Sequence, residues 1–249
     1  LSCGGKIQVY MQPIEKKAAI AELQKKLSIN EGCVLATQLT NGDSQNMLVD
    51  GQGNVRGDEL SISIISAARK AYETRAHQFV QEGDEDYFLQ VFPPRSKLII
   101  IGAAHITADL IQFGKSFDFE TIVIDPRGVF ARNTSFSVPP DQIHERYPSE
   151  VLSEISLDPY IYAVILSHDP KIDDDALKIL LKSPVAYIGA LGSRKNHEKR
   201  KGRLEGYGFN EEEIARIDAP IGIDIRAKGA KEIALSILGA VIKAKNAHM

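Results

Sequence analysis

The sequence is poor in cysteine, has no long apolar run and carries little net charge. Cys3 and Cys33 are its two thiols. Two cysteines cannot make a disulfide framework, so a reducing, cytoplasmic setting is the default expectation. Neither thiol has Cys or His partners at the spacing of a structural zinc site. No stretch approaches the roughly 20 apolar residues of a membrane-spanning helix, so no membrane role is expected. The formal net charge of -3 gives no global attraction to nucleic acid. No internal repeat or low-complexity tract appears, which sets aside solenoids and biased arrays.

What is present is a globular composition, 43% apolar and 25% charged over 249 residues. That length holds one large or two ordinary domains. The opening Leu-Ser-Cys-Gly-Gly reads like the inside of a loop, so an N-terminally truncated piece of a longer protein is expected. Residues 1–92 and 95–249 differ in texture. The first stretch predicts strands over 7–11, 32–39, 45–49 and 87–92 and helices over 14–27 and 61–79. In the second helix Ile62, Ile65, Ala68, Tyr72, Ala76 and Phe79 recur at helical spacing. Pro93-Pro94-Arg95 reads as a linker. Beyond it, strands over 97–101, 120–124, 161–166 and 185–189 alternate with helices over 104–116, 173–182, 195–206, 211–216 and 229–245. The expected class is α/β: a C-terminal Rossmann-like, doubly wound parallel sheet preceded by a smaller α+β domain.

The most informative segment starts at Lys97. An apolar run ends in Gly102 and passes directly into a helical pattern, and a second run ends in Asp125. Strand, tight turn, helix, strand, acid is the order of a dinucleotide-binding unit. Its glycine fingerprint is damaged, because Ala104 and Thr107 fill two of the three glycine positions. Ala104 adds a methyl where a pyrophosphate approaches most closely. His105 sits in the first helical turn, whose positive end suits a phosphate. Asp125 lies roughly 20 residues after Gly102, the spacing of a ribose-binding acid, and Arg127 offers phosphate contact instead.

The other strand ends are polar too. In a doubly wound sheet such ends converge on one crevice. His168 and Asp169 follow the third strand; a histidine there serves as proton shuttle or ligand, or fixes the loop. Gly192, Ser193 and Arg194 open a basic helix, where backbone donors and an arginine clamp phosphate. The later basic residues have the plainer reading of a solvated face, and without interleaved aromatics they do not suggest nucleic acid. Cys3-Gly4-Gly5 offers a thiol to a soft metal or to sulfur, or is a turn cysteine of no consequence. Cys33 reads as core.

These landmarks together resemble the xanthine dehydrogenase accessory factor family, the XdhC/CoxI-like proteins. The carriers are Cys3-Gly-Gly with residues 9–13, Gly102-Ala-Ala-His105, Ile124-Asp-Pro-Arg127, Ser167-His-Asp-Pro170, Tyr187-Ile-Gly-Ala-Leu-Gly-Ser-Arg194 and Ala219-Pro-Ile-Gly-Ile-Asp224. The resemblance runs over nearly the whole chain. It implies a non-catalytic chaperone that binds molybdenum cofactor, protects it during sulfuration and hands it to a xanthine dehydrogenase-type apoenzyme. A cysteine desulfurase partner and a homodimer are implied with it. The implied cofactor-binding set is Cys3, Gly102, His105, Asp125, Arg127, His168, Asp169, Gly192, Ser193 and Arg194, with Cys3 at the molybdenum or its sulfur. Two positions depart from the family: Ala104 where it has glycine, and Arg226 where it has a small residue. The alternative from the residues themselves is an NAD(P)-dependent oxidoreductase using the Rossmann domain. The broken fingerprint and the lack of a Tyr-Lys or metal set weigh against it.

Overall fold

A computed structural model of the chain describes residues 9–11, 18–40, 44–128 and 136–247. It divides into two compact units between Pro94 and Arg95.

The first unit contains helix α1 (Ala18–Ser28), strands β1 (Cys33–Leu39), β2 (Asn46–Asp50) and β3 (Val55–Gly57), helix α2 (Ile62–Thr74), and strands β4 (Gln78–Glu82) and β5 (Glu85–Phe92). The strands form one antiparallel sheet in the order β3-β2-β1-β5-β4. Alternation along β1 and β2 sorts the side chains between two faces. Cys33, Leu35 and Leu48 pack with Ala19 and Leu23 of α1. Val34, Ala36, Met47 and Val49 pack with Ile64, Ala68 and Ala71 of α2. Burial pushes the Cys33 thiol up to about 11, which makes it an inert core residue.

Two expectations for this unit are corrected. Residues 9–11 form no strand, and the rest of that predicted strand lies outside the described residues. The helix expected to Phe79 stops at Thr74, where Arg75 turns left-handed at φ 56°. The chain then returns as β4, paired to β5 through the two-residue loop Gly83-Asp84. Phe79 is thus an exposed strand residue, its ring 4.8 Å from that of Phe88. A short polar hairpin signal competed there with a helical period and won.

The second unit contains β6 (Lys97–Ile101), α3 (His105–Ser116), β7 (Glu120–Ile124), β8 (Gln142–His144), α4 (Pro148–Glu154), β9 (Ile161–Ile165), α5 (Pro170–Leu180), β10 (Tyr187–Ala190), α6 (Arg194–Gly206), α7 (Glu211–Ala215), β11 (Ile217–Asp218) and α8 (Ala230–Asn246). All six strands are parallel, in the order β8-β7-β6-β9-β10-β11. The first strand in sequence therefore sits mid-sheet beside the fourth, the doubly wound arrangement. Ile99, Ile101, Ile122 and Ile165 face one apolar layer with α5. Leu98, Ile100, Val123 and Val164 face another with α3 and α8. Burial on both faces explains why these strands read as continuous apolar runs. The edge strands β8 and β11 are too short to show any period, and α4 is a seven-residue helix opened by Pro148.

After β11 the chain is laid over the end of β10, where Ile221 N–H donates to Ala190 O at 3.2 Å. It continues to α8, with Ile223 N–H donating to Ser236 O at 3.2 Å. Arg226 follows with φ 56°, a left-handed conformation that a side chain resists. A small residue at this position thereby has a backbone reason. Arg226→Gly is expected to raise stability by about 0.5–1 kcal/mol in urea unfolding. That is the left-handed cost of a side chain less the extra unfolded entropy of glycine. A loss of stability would mean that the arginine side chain contributes more than its backbone costs.

Candidate functional site

The strand order reverses between β6 and β9, and their carboxyl ends frame the crevice. Gly102 ends β6 with φ 106°, and a Cβ there would lie 2.6 Å from the Ser167 Cα and 2.7 Å from its nitrogen. Glycine is required at this point because the backbone after β9 crosses in contact with it.

Asp125, at the end of β7, has a fully buried side chain. Its carboxylate accepts hydrogen bonds from Ala103 N–H at 2.8 Å and Arg127 N–H at 3.0 Å. It also accepts from Arg127 Nε at 2.9 Å and Nη2 at 2.7 Å. Arg127 Nη1 donates onward to Ser167 O at 3.1 Å. One ion pair thus ties together the ends of β6, β7 and β9. Burial alone would push the Asp125 carboxyl up, but the Arg127 guanidinium and the two backbone donors hold it below the usual range. The sugar of a bound dinucleotide would have to displace Arg127 to reach this acid.

Helix α3 begins at His105 without a side-chain cap, because Ala104 has none to offer. Thr107, at the last fingerprint position, is buried and staples the turn instead. Its Oγ1 donates to Gly102 O at 2.8 Å and accepts from Ala104 N–H at 3.2 Å. The positive end of α3 is left for an anion, with His105 exposed beside it.

Ser167 is buried; its Oγ donates to Asp173 Oδ1 at 2.5 Å and accepts from Asp169 N–H at 3.1 Å. Asp169 caps α5 by accepting from Lys171 N–H at 2.9 Å. His168 between them is exposed and left-handed, with φ 60°. Ser193 caps α6, accepting from Asn196 N–H at 3.3 Å, and Arg194 is exposed. His105, His168 and Arg194 therefore present side chains to solvent, whereas Asp125, Asp169 and Ser193 spend theirs on the fold. Cys3 lies outside the described residues.

The sequence reading missed a buried cluster behind these loops. Arg200 Nη2 donates to Asp173 Oδ2 at 3.2 Å and to Leu191 O at 3.0 Å. Arg203 pairs with Asp174, through Nε at 2.6 Å and Nη2 at 2.9 Å. Burial pushes the Asp173 carboxyl up, against the Ser167 hydroxyl and Arg200. The available signal was two acids on one helix facing arginines three apart on the next. It was hidden because α6 has one large aliphatic residue, Leu204, and so shows no apolar stripe. Between α5 and α6 lies a cavity of about 220 Å³, lined among others by His168, Asp173, Gly192, Asn196, Lys199 and Arg200. Among the described residues, no group of three or more His, Cys, Asp and Glu could hold a metal ion. None of their helices is long and apolar enough to cross a membrane.

Removing the Asp125 charge tests its structural role. Asp125→Asn should cost about 2–3 kcal/mol at pH 7, less than a fully buried pair because Arg127 is about a third exposed. The folded-state pKa of Asp125 is depressed, so its stabilisation is complete above the unfolded value and is lost as pH falls through the folded one. The gap between native and variant should therefore narrow below about pH 4. Urea unfolding at neutral and acid pH reads this, and an equal gap at both would contradict it.

Comparison with known proteins agrees with the fold and extends it. Residues 98–241 match a family model described as the XdhC Rossmann domain. The uncharacterized protein YqeB of Escherichia coli is 28% identical over 164 residues, which are 66% of this chain and 30% of that protein. A probable xanthine dehydrogenase subunit of Bacillus subtilis is 30% identical over 158 residues, 64% of this chain and 46% of that one. The molybdenum cofactor insertion chaperone PaoD of Escherichia coli is 32% identical over 99 residues, 40% of this chain and 30% of that one. The chain thus spans less than half the length of these relatives. A crystal structure described as a xanthine dehydrogenase from Bacillus halodurans superposes with a TM-score of 0.68 at 24% identity. That match covers 91% of this chain and 66% of the other, and it shows a shared fold. With more than half its length inside the family match, the chain belongs to the XdhC Rossmann-domain family.

Proposed function

We propose that this chain is part of an accessory factor that receives molybdenum cofactor and passes it to a xanthine dehydrogenase-type molybdenum hydroxylase. The observation that carries this reading is the closed Asp125–Arg127 pair in a family Rossmann domain. The unit keeps an anion-receptive edge, yet its ribose acid is already engaged. A phosphate-bearing ligand other than a nicotinamide dinucleotide suits that edge better. The names of two relatives support the assignment, one a molybdenum cofactor insertion chaperone and one a probable xanthine dehydrogenase subunit.

In this reading the cofactor is cargo and the chain itself breaks no bond. The α3 N-terminus, His105, His168 and Arg194 offer its phosphate a positive, hydrogen-bonding surface. Cys3 is assigned to the molybdenum or its sulfur, the soft contact that a thiolate favours. A cysteine desulfurase, a second copy of the chain and a cytoplasmic setting complete the proposal.

The rival reading, an NAD(P)-dependent oxidoreductase, draws on the parallel β6-α3-β7 unit and on Asp125 at its end. Titrating the protein with molybdenum cofactor, NADH and NADPH separates the two. Saturable cofactor binding is expected, weakened about tenfold or more in Arg194→Ala and in Cys3→Ser. Micromolar NADH or NADPH binding without cofactor binding would overturn the proposal, and unchanged cofactor affinity in both variants would remove those two residues from it.

A further inference from the structure

The loops after β9 and β10 are joined through one buried side chain of α6. Arg200 is 5% exposed, and its Nη2 donates to Leu191 O at 3.0 Å and to Asp173 Oδ2 at 3.2 Å. Asp173 Oδ1 accepts in turn from Ser167 Oγ, which accepts from Asp169 N–H. Each anchored loop residue precedes one of unusual backbone. His168 follows Ser167 at φ 60°, and Gly192 follows Leu191 at φ 137°. His168 and Gly192 both line the cavity between α5 and α6, so the two loops face one another across it. Arg194 opens α6 two residues beyond Gly192.

Stability does not explain this arrangement. Asp173 is 7% exposed, and burial pushes its carboxyl up despite the Ser167 hydroxyl and Arg200. The surroundings thus disfavour the charge that the pair needs. Replacing both members of a buried pair by apolar groups of similar volume is often neutral or stabilising. What apolar groups cannot do is fix direction. Two N–H bonds from one nitrogen set Leu191 O against Asp173, and through Ser167 they set one loop against the other. His168, in a left-handed conformation, has to be held there by its surroundings. Arg203, three residues on, pairs with Asp174 and ties α6 to α5 instead.

We propose that Arg200 is a positioning residue, whose guanidinium sets the loops after β9 and β10 against each other and with them His168 and Arg194. That these two side chains meet the phosphate of a ligand rests on the carrier reading above; the coupling of the loops does not.

The test uses variants of the full chain, followed by thermal melting, amide NMR and titration with molybdenum cofactor. Arg200→Met combined with Asp173→Asn removes both charges and leaves Ser167 an acceptor. This pair of changes should leave the chain folded, yet shift and broaden the amide signals of both His168 and Gly192. Arg200→Lys should keep both signals native-like, since an ammonium can make the two contacts of Nη2. Ser167→Ala removes one oxygen atom and cuts one arm, so His168 should shift in it whether or not the charge-free variant folds. Native signals at both loops in the charge-free variant, or at His168 in Ser167→Ala, overturn the coupling. Cofactor affinity should fall about tenfold in the charge-free variant and stay within about twofold in Arg200→Lys. With His168→Ala and Arg194→Ala already present, removing the charges should add less than about twofold, because the groups they position are gone. A further tenfold loss in that background would show that Arg200 acts elsewhere and refute the positioning role. Cofactor bound equally by the native and charge-free chains would refute that role and leave the carrier reading standing. No cofactor binding by the native chain would end the carrier reading, and the loop signals alone would then decide the coupling.

Discussion

A carboxylate without exposed surface, Asp125, holds the carboxyl edge of the parallel sheet together. Stripping a charge of water is expensive unless every lone pair finds a donor. Here four donors meet it, three from Arg127 and one from the turn after β6. Arg127 then reaches the backbone after β9. The three strand ends that would grip a nucleotide are fixed to one another first. Gly102 belongs to the same constraint, since its missing side chain lets the β6 and β9 backbones touch.

That constraint gives the broken glycine fingerprint a physical meaning. Gly102 serves the contact between strand ends rather than the approach of a pyrophosphate. Ala104 sits at a helix start with extended backbone, where no glycine is needed. Thr107 replaces a glycine with a hydroxyl that locks the turn. Of the two replacements, only Thr107 exchanges a dinucleotide-binding feature for an internal bond. The edge keeps its positive helix end and gains, between α5 and α6, a basic cavity that the glycine motif does not describe.

Much of the fold was legible because its strands are buried on both faces. Residues 97–101 and 120–124 read as β-branched runs and appear with those bounds as β6 and β7. Where a segment is short or half-exposed, the pattern failed. Phe79 fell on the period of α2 yet lies in a hairpin strand, and β8 and β11 are too short for any period. The site was legible only as a set of strand ends. Spacing marked Asp125 as a ribose acid, but spacing cannot tell a carboxylate facing a ligand from one facing its own arginine. Arg200 was hidden in a run of charges that looked solvated, because burial through hydrogen bonds leaves no apolar stripe.

The decisive measurement is a crystal structure of the protein with molybdenum cofactor bound. We expect the Asp125–Arg127 pair to stay closed, with the cofactor phosphate held away from the Asp125 carboxylate. A nucleotide ribose hydrogen-bonded to Asp125, with Arg127 swung out, would contradict the claim that this ion pair is the fixed floor of the site.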